Sequence, residues 1–226
     1  MSTLIAEDLL LLLLDDAKGT LTATSYPQTI LGGGLLIELA LTEAVEVGDK
    51  EGFWRTAKVR ARLDARPADP VLVDALAVVN DKERGAQDLV NRLGKGLKET
   101  LTARLEQRGI LERRDGKVLG LFPRTTWPSV DSTHEQTVRR AIEASLLLGA
   151  TPDERTGALI ALLHAIGQAH KVIDRQDMPA AEVKARAKKI SEGAWAAKAV
   201  KDAIAASVAA TTAAVTAATS ATVVSS

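Results

Sequence analysis

The 226-residue sequence predicts a mainly α-helical, single globular domain of about eight helices with one β-hairpin, residues 110–122. Three observations carry this. Apolar residues recur at helical spacing between helix-start and helix-stop signals along most of the chain. One dipeptide, Asp115-Gly116, is a strong two-residue hairpin signal between two short runs, 110–114 and 117–122. No Pro/Gly/Ser-rich stretch divides the chain, so residues 3–218 read as one domain, followed by a frayed tail at 219–226.

Taken in order, residues 4–15 form a first helix closed near Gly19. Residues 20–28 are polar, contain Pro27, and read as a loop. Gly32, Gly33 and Gly34 then precede an apolar helix over 35–41, an arrangement that leaves the helix's first amides open to an anion. Residues 46–52 read as a turn and 54–63 as a short strand or hairpin arm. Asp69-Pro70 is a helix start, with a capping acid before a first-turn proline, and the helix runs to about Asn80. The next helix spans 85–107, with a break near Gly94 and Gly96 and its end at Gly109. Beyond the hairpin, Ser132-Thr-His-Glu135 and Thr151-Pro-Asp-Glu154 match the capping-box pattern and predict helices over 133–148 and 152–170. Residues 179–218 read as one long or broken alanine-rich helix.

Composition excludes several classes of chemistry. There is no cysteine, so disulfides, thiolate catalysis and Cys-ligated zinc are out. Lys plus Arg and Asp plus Glu are both 29, so no global field attracts nucleic acid or acidic membranes, and an anion site has to be a local cluster. The leucine run 9–14 is too short to span a bilayer, which takes ~20 residues, and it is fenced by Glu7, Asp8, Asp15 and Asp16. The expected location is cytoplasmic, with peripheral attachment to the inner membrane face allowed.

No catalytic residues emerge: the sequence holds no nucleophile–base set, and no cofactor is expected. His134, His164 and His170 have no partner at metal spacing, so no metal site is expected, and His170 with Asp174 reads as a surface helix pair. The strongest local chemistry is basic. Lys95 and Lys98 lie three apart, where two ammonium groups share a helix face and grip one phosphate, with Arg92 one turn earlier. With Gly32, Gly33 and Gly34 they form a candidate anion cradle. The helix ending at Gly109 with its hairpin also imitates a winged-helix DNA reader, a reading that zero net charge disfavours. Trp195 shares a stripe with Lys184, Lys188 and Lys198, a pattern of membrane-surface faces as well as of ordinary buried tryptophans.

Six segments in order resemble the Golgi phosphoprotein 3 family. They are residues 4–19, Gly33-Gly-Leu-Leu-Ile-Glu-Leu-Ala-Leu41, Pro70-Val-Leu-Val-Asp-Ala-Leu76, Leu105-Glu-Gln-Arg-Gly-Ile-Leu111 with its hairpin, Thr125-Thr-Trp-Pro128, and Ala158-Leu-Ile-Ala-Leu-Leu-His-Ala165. The resemblance spans roughly residues 3–210. It implies a helical domain that binds phosphatidylinositol 4-phosphate as a non-enzymatic peripheral adaptor. It also implies recognition of cytoplasmic tails of membrane glycosyltransferases, and self-association through the hairpin, here around Arg114, Asp115, Gly116 and Lys117. The family's two headgroup-binding cations on the helix before the hairpin fall at Lys95 and Lys98. Its site tryptophan falls near Ala23 or Thr24 and a further arginine at Gly32, so this chain lacks both. Alanine- and arginine-rich usage without cysteine points to a bacterial member. The expected ligand is therefore an anionic phospholipid headgroup with loosened specificity; the alternative is a protein-interaction adaptor without lipid binding.

Overall fold

The structure is a computed structural model, and it describes residues 3–15, 19–21, 27–47, 58–118, 122–193 and 198–223. Within them are nine helices, a three-stranded antiparallel sheet and a two-stranded hairpin. The middle of the core is α2 (Pro27–Leu41), which follows α1 (Ile5–Leu13) and is buried from Thr29 to Ala40. A helix apolar all round belongs inside a domain. α2 accordingly packs on α1, on α4 (Ala86–Leu93), on α7 (Glu154–Ala165) and on α9 (Lys198–Val223).

The smaller sheet elements lie outside this helical centre. β1 (Val45–Val47), β2 (Lys58–Ala61) and β3 (Arg84–Gly85) pair in chain order. Between β2 and β3 runs α3 (Pro70–Asp81), and Asp69 caps it as expected, its carboxylate accepting from the Val71 N–H at 2.9 Å. The predicted break at Gly94 and Gly96 separates α4 from α5 (Leu97–Gln107). α6 (Thr133–Leu146) and α8 (Ala180–Ser191) complete the set.

Five expectations need correction. The glycine triplet does not precede a helix: it lies inside α2, which starts at Pro27 where a loop was expected. The hairpin exists, but Asp115-Gly116 is not its turn. β4 (Arg114–Val118) pairs with β5 (Phe122–Thr126) in the register Arg114↔Thr126, Asp115↔Thr125, Gly116↔Arg124, placing the reversal after Val118. The reason is non-local. Ile110 and Leu111 are anchored in the core, the bridge Leu111↔Ser129 fixes the same register, and Asp115 accepts from the Thr125 hydroxyl across the strands at 2.7 Å. Of the two capping boxes, the cap of α7 is Asp153, accepting from the Thr156 N–H at 2.6 Å, rather than Thr151. Ser132 makes no backbone cap; Asp131 accepts from the Thr133 N–H instead. α7 also ends at Ala165, so His170 lies in a turn and Asp174 in irregular chain, and neither is on a helix. At the C-terminus, α9 runs to Val223, past the tail boundary expected at residue 219.

A buried ionic network ties the helices together. Glu7 and Asp8 on α1 are fully buried, and Glu38 is the one acid in α2. Arg155, from the first turn of α7, donates to Asp8 at 2.8 and 3.0 Å and to both Glu38 oxygens at 3.3 Å. Glu38 also accepts the Ile5 N–H at 2.6 Å, an orphan amide at the start of α1. His134 Nε2 lies 2.7 Å from the other Asp8 oxygen. Arg104 bridges Glu7 at 3.0 Å and Asp69.

Burial holds the Glu38 carboxyl above its ordinary 4.5, against the opposing pull of Arg155 and the Ile5 N–H. The folded chain therefore binds more protons at this group than the unfolded chain does. Its contribution is fully present below the ordinary value and is lost as pH rises through the raised one. The stability of Glu38→Gln relative to wild type is thus expected to improve as pH rises across that interval, measured as paired urea midpoints. A difference that moves the other way would show the Arg155 attraction to dominate.

Candidate functional site

The α4–α5 junction is built by its glycines. Gly94 ends α4, and Gly96 has φ +70°, the left-handed conformation that a side chain disfavours. The Lys95 N–H reaches back to the Arg92 carbonyl and the Leu97 N–H to the Gly94 carbonyl, both at 3.2 Å, closing a tight turn with Lys95 at its apex. Lys95 and Lys98 therefore do not share one helix face. Lys95 sits exposed on the turn, and Lys98 is the half-buried second residue of α5.

Beside this turn lies an open cleft of about 210 Å³ between α3 and the α4–α5 segment. Arg92, Lys95 and Thr100 contribute its polar wall on one side and Asp74 on the other, over an apolar lining that includes Val71, Val78 and Leu93. The cleft thus brings together two of the expected cations, Arg92 and Lys95, without Lys98. Arg92 Nε is engaged by Asp88 at 2.9 Å, one turn earlier on α4. Lys95 has no ion-pair partner among the described residues. Asp74 is the residue that sequence reading missed. Its signal was available: Val71, Asp74, Ala75 and Val78 fall on one face of α3 at helical spacing, with an acid in an otherwise apolar stripe.

The glycine triplet has a different role from the one expected. Gly32, Gly33 and Gly34 are the sixth to eighth residues of α2, beyond the first turn whose amides lack helix partners, and all three are buried. They do not present amides to an anion. A Cβ on Gly32 would stand 2.0 Å from the Val90 carbonyl oxygen, and one on Gly94 would stand 1.8 Å from the Gln28 carbonyl oxygen. The backbones of α2 and α4 therefore touch at a reciprocal glycine contact. Gln28 Nε2 donates to the Asn91 carbonyl at 2.8 Å and Thr29 Oγ1 to Asn91 Oδ1 at 3.1 Å, pinning the same crossing. Gly33 takes Ser207 of α9 against its face, and Gly34 takes α1. Gly32 thus positions α4, and through it Arg92 and Lys95, and none of the three glycines lines the cleft.

The remaining candidates are dispersed. Arg114, Asp115, Gly116 and Lys117 lie along β4, where Arg114 pairs with Glu112 at 2.7 Å and Asp115 with Arg113 at 3.2 Å. His164 is half-buried in α7, and burial lowers its pKa. Ala23, Thr24 and Trp195 lie outside the described residues, as do residues 48–57, which cover most of the expected turn and strand arm. Among the described residues, no group of three His, Cys, Asp or Glu side chains is placed to hold a metal ion. Among the same residues, no helix is long and apolar enough to cross a membrane.

The family model described as Golgi phosphoprotein 3 (GPP34) matches residues 5–207 of the chain. No curated protein matches it.

Proposed function

Because the chain belongs to the Golgi phosphoprotein 3 family, we propose that it is a non-enzymatic, membrane-peripheral binding protein whose α4–α5 turn grips an anionic phospholipid headgroup. The observation that carries this reading is Lys95, exposed at a glycine-built apex on the rim of an open cleft, with Arg92 beside it. An ammonium without a carboxylate partner among the described residues is available to a phosphate, and a rigid turn holds it in place. Lys98, in the first turn of α5, adds positive potential from outside the cleft.

Phosphatidylinositol 4-phosphate is the headgroup that the family resemblance implies, and it is the natural first probe. The chain departs from the family's site in a way that packing explains. Where the family pattern has an arginine, Gly32 lies against the Val90 carbonyl, and no side chain fits there. Fewer fixed cations leave a site selective for charge more than for one phosphoinositide. The contact rests on exposed cations, whose attraction to the membrane surface salt screens, so binding is expected to be salt-sensitive.

Co-sedimentation with phosphatidylcholine vesicles, with and without phosphatidylinositol 4-phosphate, tests the reading. Wild type is expected in the pellet only when the anionic lipid is present. Each basic residue near an anionic surface contributes ~1 kcal/mol, so Arg92→Ala with Lys95→Ala should weaken retention roughly 25-fold. Lys98→Ala should weaken it less. Equal retention of wild type and the double variant would remove the assigned site.

A further inference from the structure

Asp74 is not used by a site that takes only an anion. It stands exposed in the middle of the α3 face that lines the cleft, and it has no ion-pair or hydrogen-bonding partner among the described residues. Lys95 lines the same cleft from the α4–α5 turn, and the two charges do not pair with each other. Arg92, the third charged residue, is already paired with Asp88. The cleft therefore offers one free carboxylate and one free ammonium, held apart on facing elements.

A bare phosphate on Lys95 would sit in a small cleft that also contains the Asp74 carboxylate, and like charges in one site repel. A ligand carrying a phosphate and an ammonium a few bonds apart satisfies both ends at once. The apolar lining at Val71, Val78 and Leu93 suits the short carbon link between them. Size points the same way. Pockets for drug-sized ligands run ~300–1,000 Å³, and at about 210 Å³ this cleft suits a smaller group.

We infer that the cleft takes the headgroup of an aminophospholipid, a phosphodiester bearing a primary ammonium of the phosphoserine type, with phosphate on Lys95, ammonium on Asp74 and the serine carboxylate turned to solvent at the open mouth on the Arg92 side, away from Asp74. This rests on the headgroup-binding reading above and narrows its ligand class. Asp74 becomes the residue that sets specificity, and Lys95 the one that sets affinity.

The experiment compares vesicles of equal surface charge, phosphatidylserine against phosphatidylglycerol in phosphatidylcholine, using the full chain. Wild type is expected to prefer phosphatidylserine about two- to fivefold, the worth of one solvent-exposed ion pair. Asp74→Asn should abolish that preference by lowering phosphatidylserine retention, while phosphatidylglycerol retention stays equal or rises. A merely structural Asp74 would lower both together, and that result overturns the inference. Equal retention of wild type on the two lipids also overturns it, while leaving the headgroup reading intact. No retention on these vesicles or on phosphatidylinositol 4-phosphate removes the headgroup reading and the inference with it. Stabilisation by free O-phospho-L-serine, without retention on any vesicle, assigns the cleft to a soluble phosphoamine and overturns the lipid source.

Discussion

Replacing Arg155 by methionine is expected to cost about 3 kcal/mol at neutral pH, near the lower end of the ~3–5 kcal/mol seen when one partner of a buried ion pair is removed. The lower end applies because the guanidinium is 32% exposed while Asp8 is 0% exposed. Methionine keeps most of the side-chain volume, so the loss reports charge and hydrogen bonding more than a cavity. Three groups lose a donor together: Asp8, Glu38 and the Thr3 carbonyl. For a chain of this length the midpoint temperature should fall by roughly 6–12 °C. The pH dependence is the sharper check. Without Arg155 the Glu38 carboxyl keeps its burial and loses the strongest pull that opposes it, so its protonated form is favoured further. The gap between wild type and variant should therefore narrow as pH falls through the carboxylate range and widen toward neutrality. A loss under ~1 kcal/mol that is flat with pH would place Arg155 among ordinary surface pairs.

That network also marks the limit of what the sequence makes legible. Asp69-Pro70 announces the start of α3 from two adjacent residues, because a cap is a local device. The break at Gly94 and Gly96 is local in the same sense, and so is the apolar run of α1. Arg155 meets Asp8 across 147 residues and Glu38 across 117, and no periodicity reports a contact at that range. Glu7, Asp8 and Glu38 consequently look like solvent-facing acids bordering apolar helices, whereas all three are buried, Glu7 and Asp8 almost completely. The hairpin shows both cases. Asp115-Gly116 carries genuine turn chemistry, yet the register is set by core-anchored Ile110 and Leu111 and moves the reversal beyond Val118. In the cleft, Arg92 and Lys95 were visible as charges. Asp74 was hidden because its meaning depends on α3 lying against the α4–α5 turn.

Gly32→Ala is expected to destabilise the fold by about 3 kcal/mol, although helix propensity alone predicts a gain of ~1 kcal/mol for the same change. The sign is decided by space. Gly32 is mid-helix, where alanine is the better residue, but its Cβ would stand 2.0 Å from the Val90 carbonyl oxygen of α4. A backbone oxygen cannot rotate aside as a flexible side chain does, so the helices must separate, and a close-packed interior does not yield cheaply. Gly94→Ala should behave alike, since its φ of −80° suits alanine while its Cβ would meet the Gln28 carbonyl oxygen at 1.8 Å. Urea unfolding of the two variants measures the cost, and a gain in stability from either would show that the α2–α4 crossing is looser than this contact requires. The effect should extend to binding. Arg92 and Lys95 sit at the end of α4 and on the turn that follows it, so displacing α4 from α2 moves both cations relative to Asp74. Lipid retention by Gly32→Ala should therefore fall even under conditions where the variant is fully folded, whereas a destabilising change far from α4, such as Arg155→Met, should leave it unchanged there.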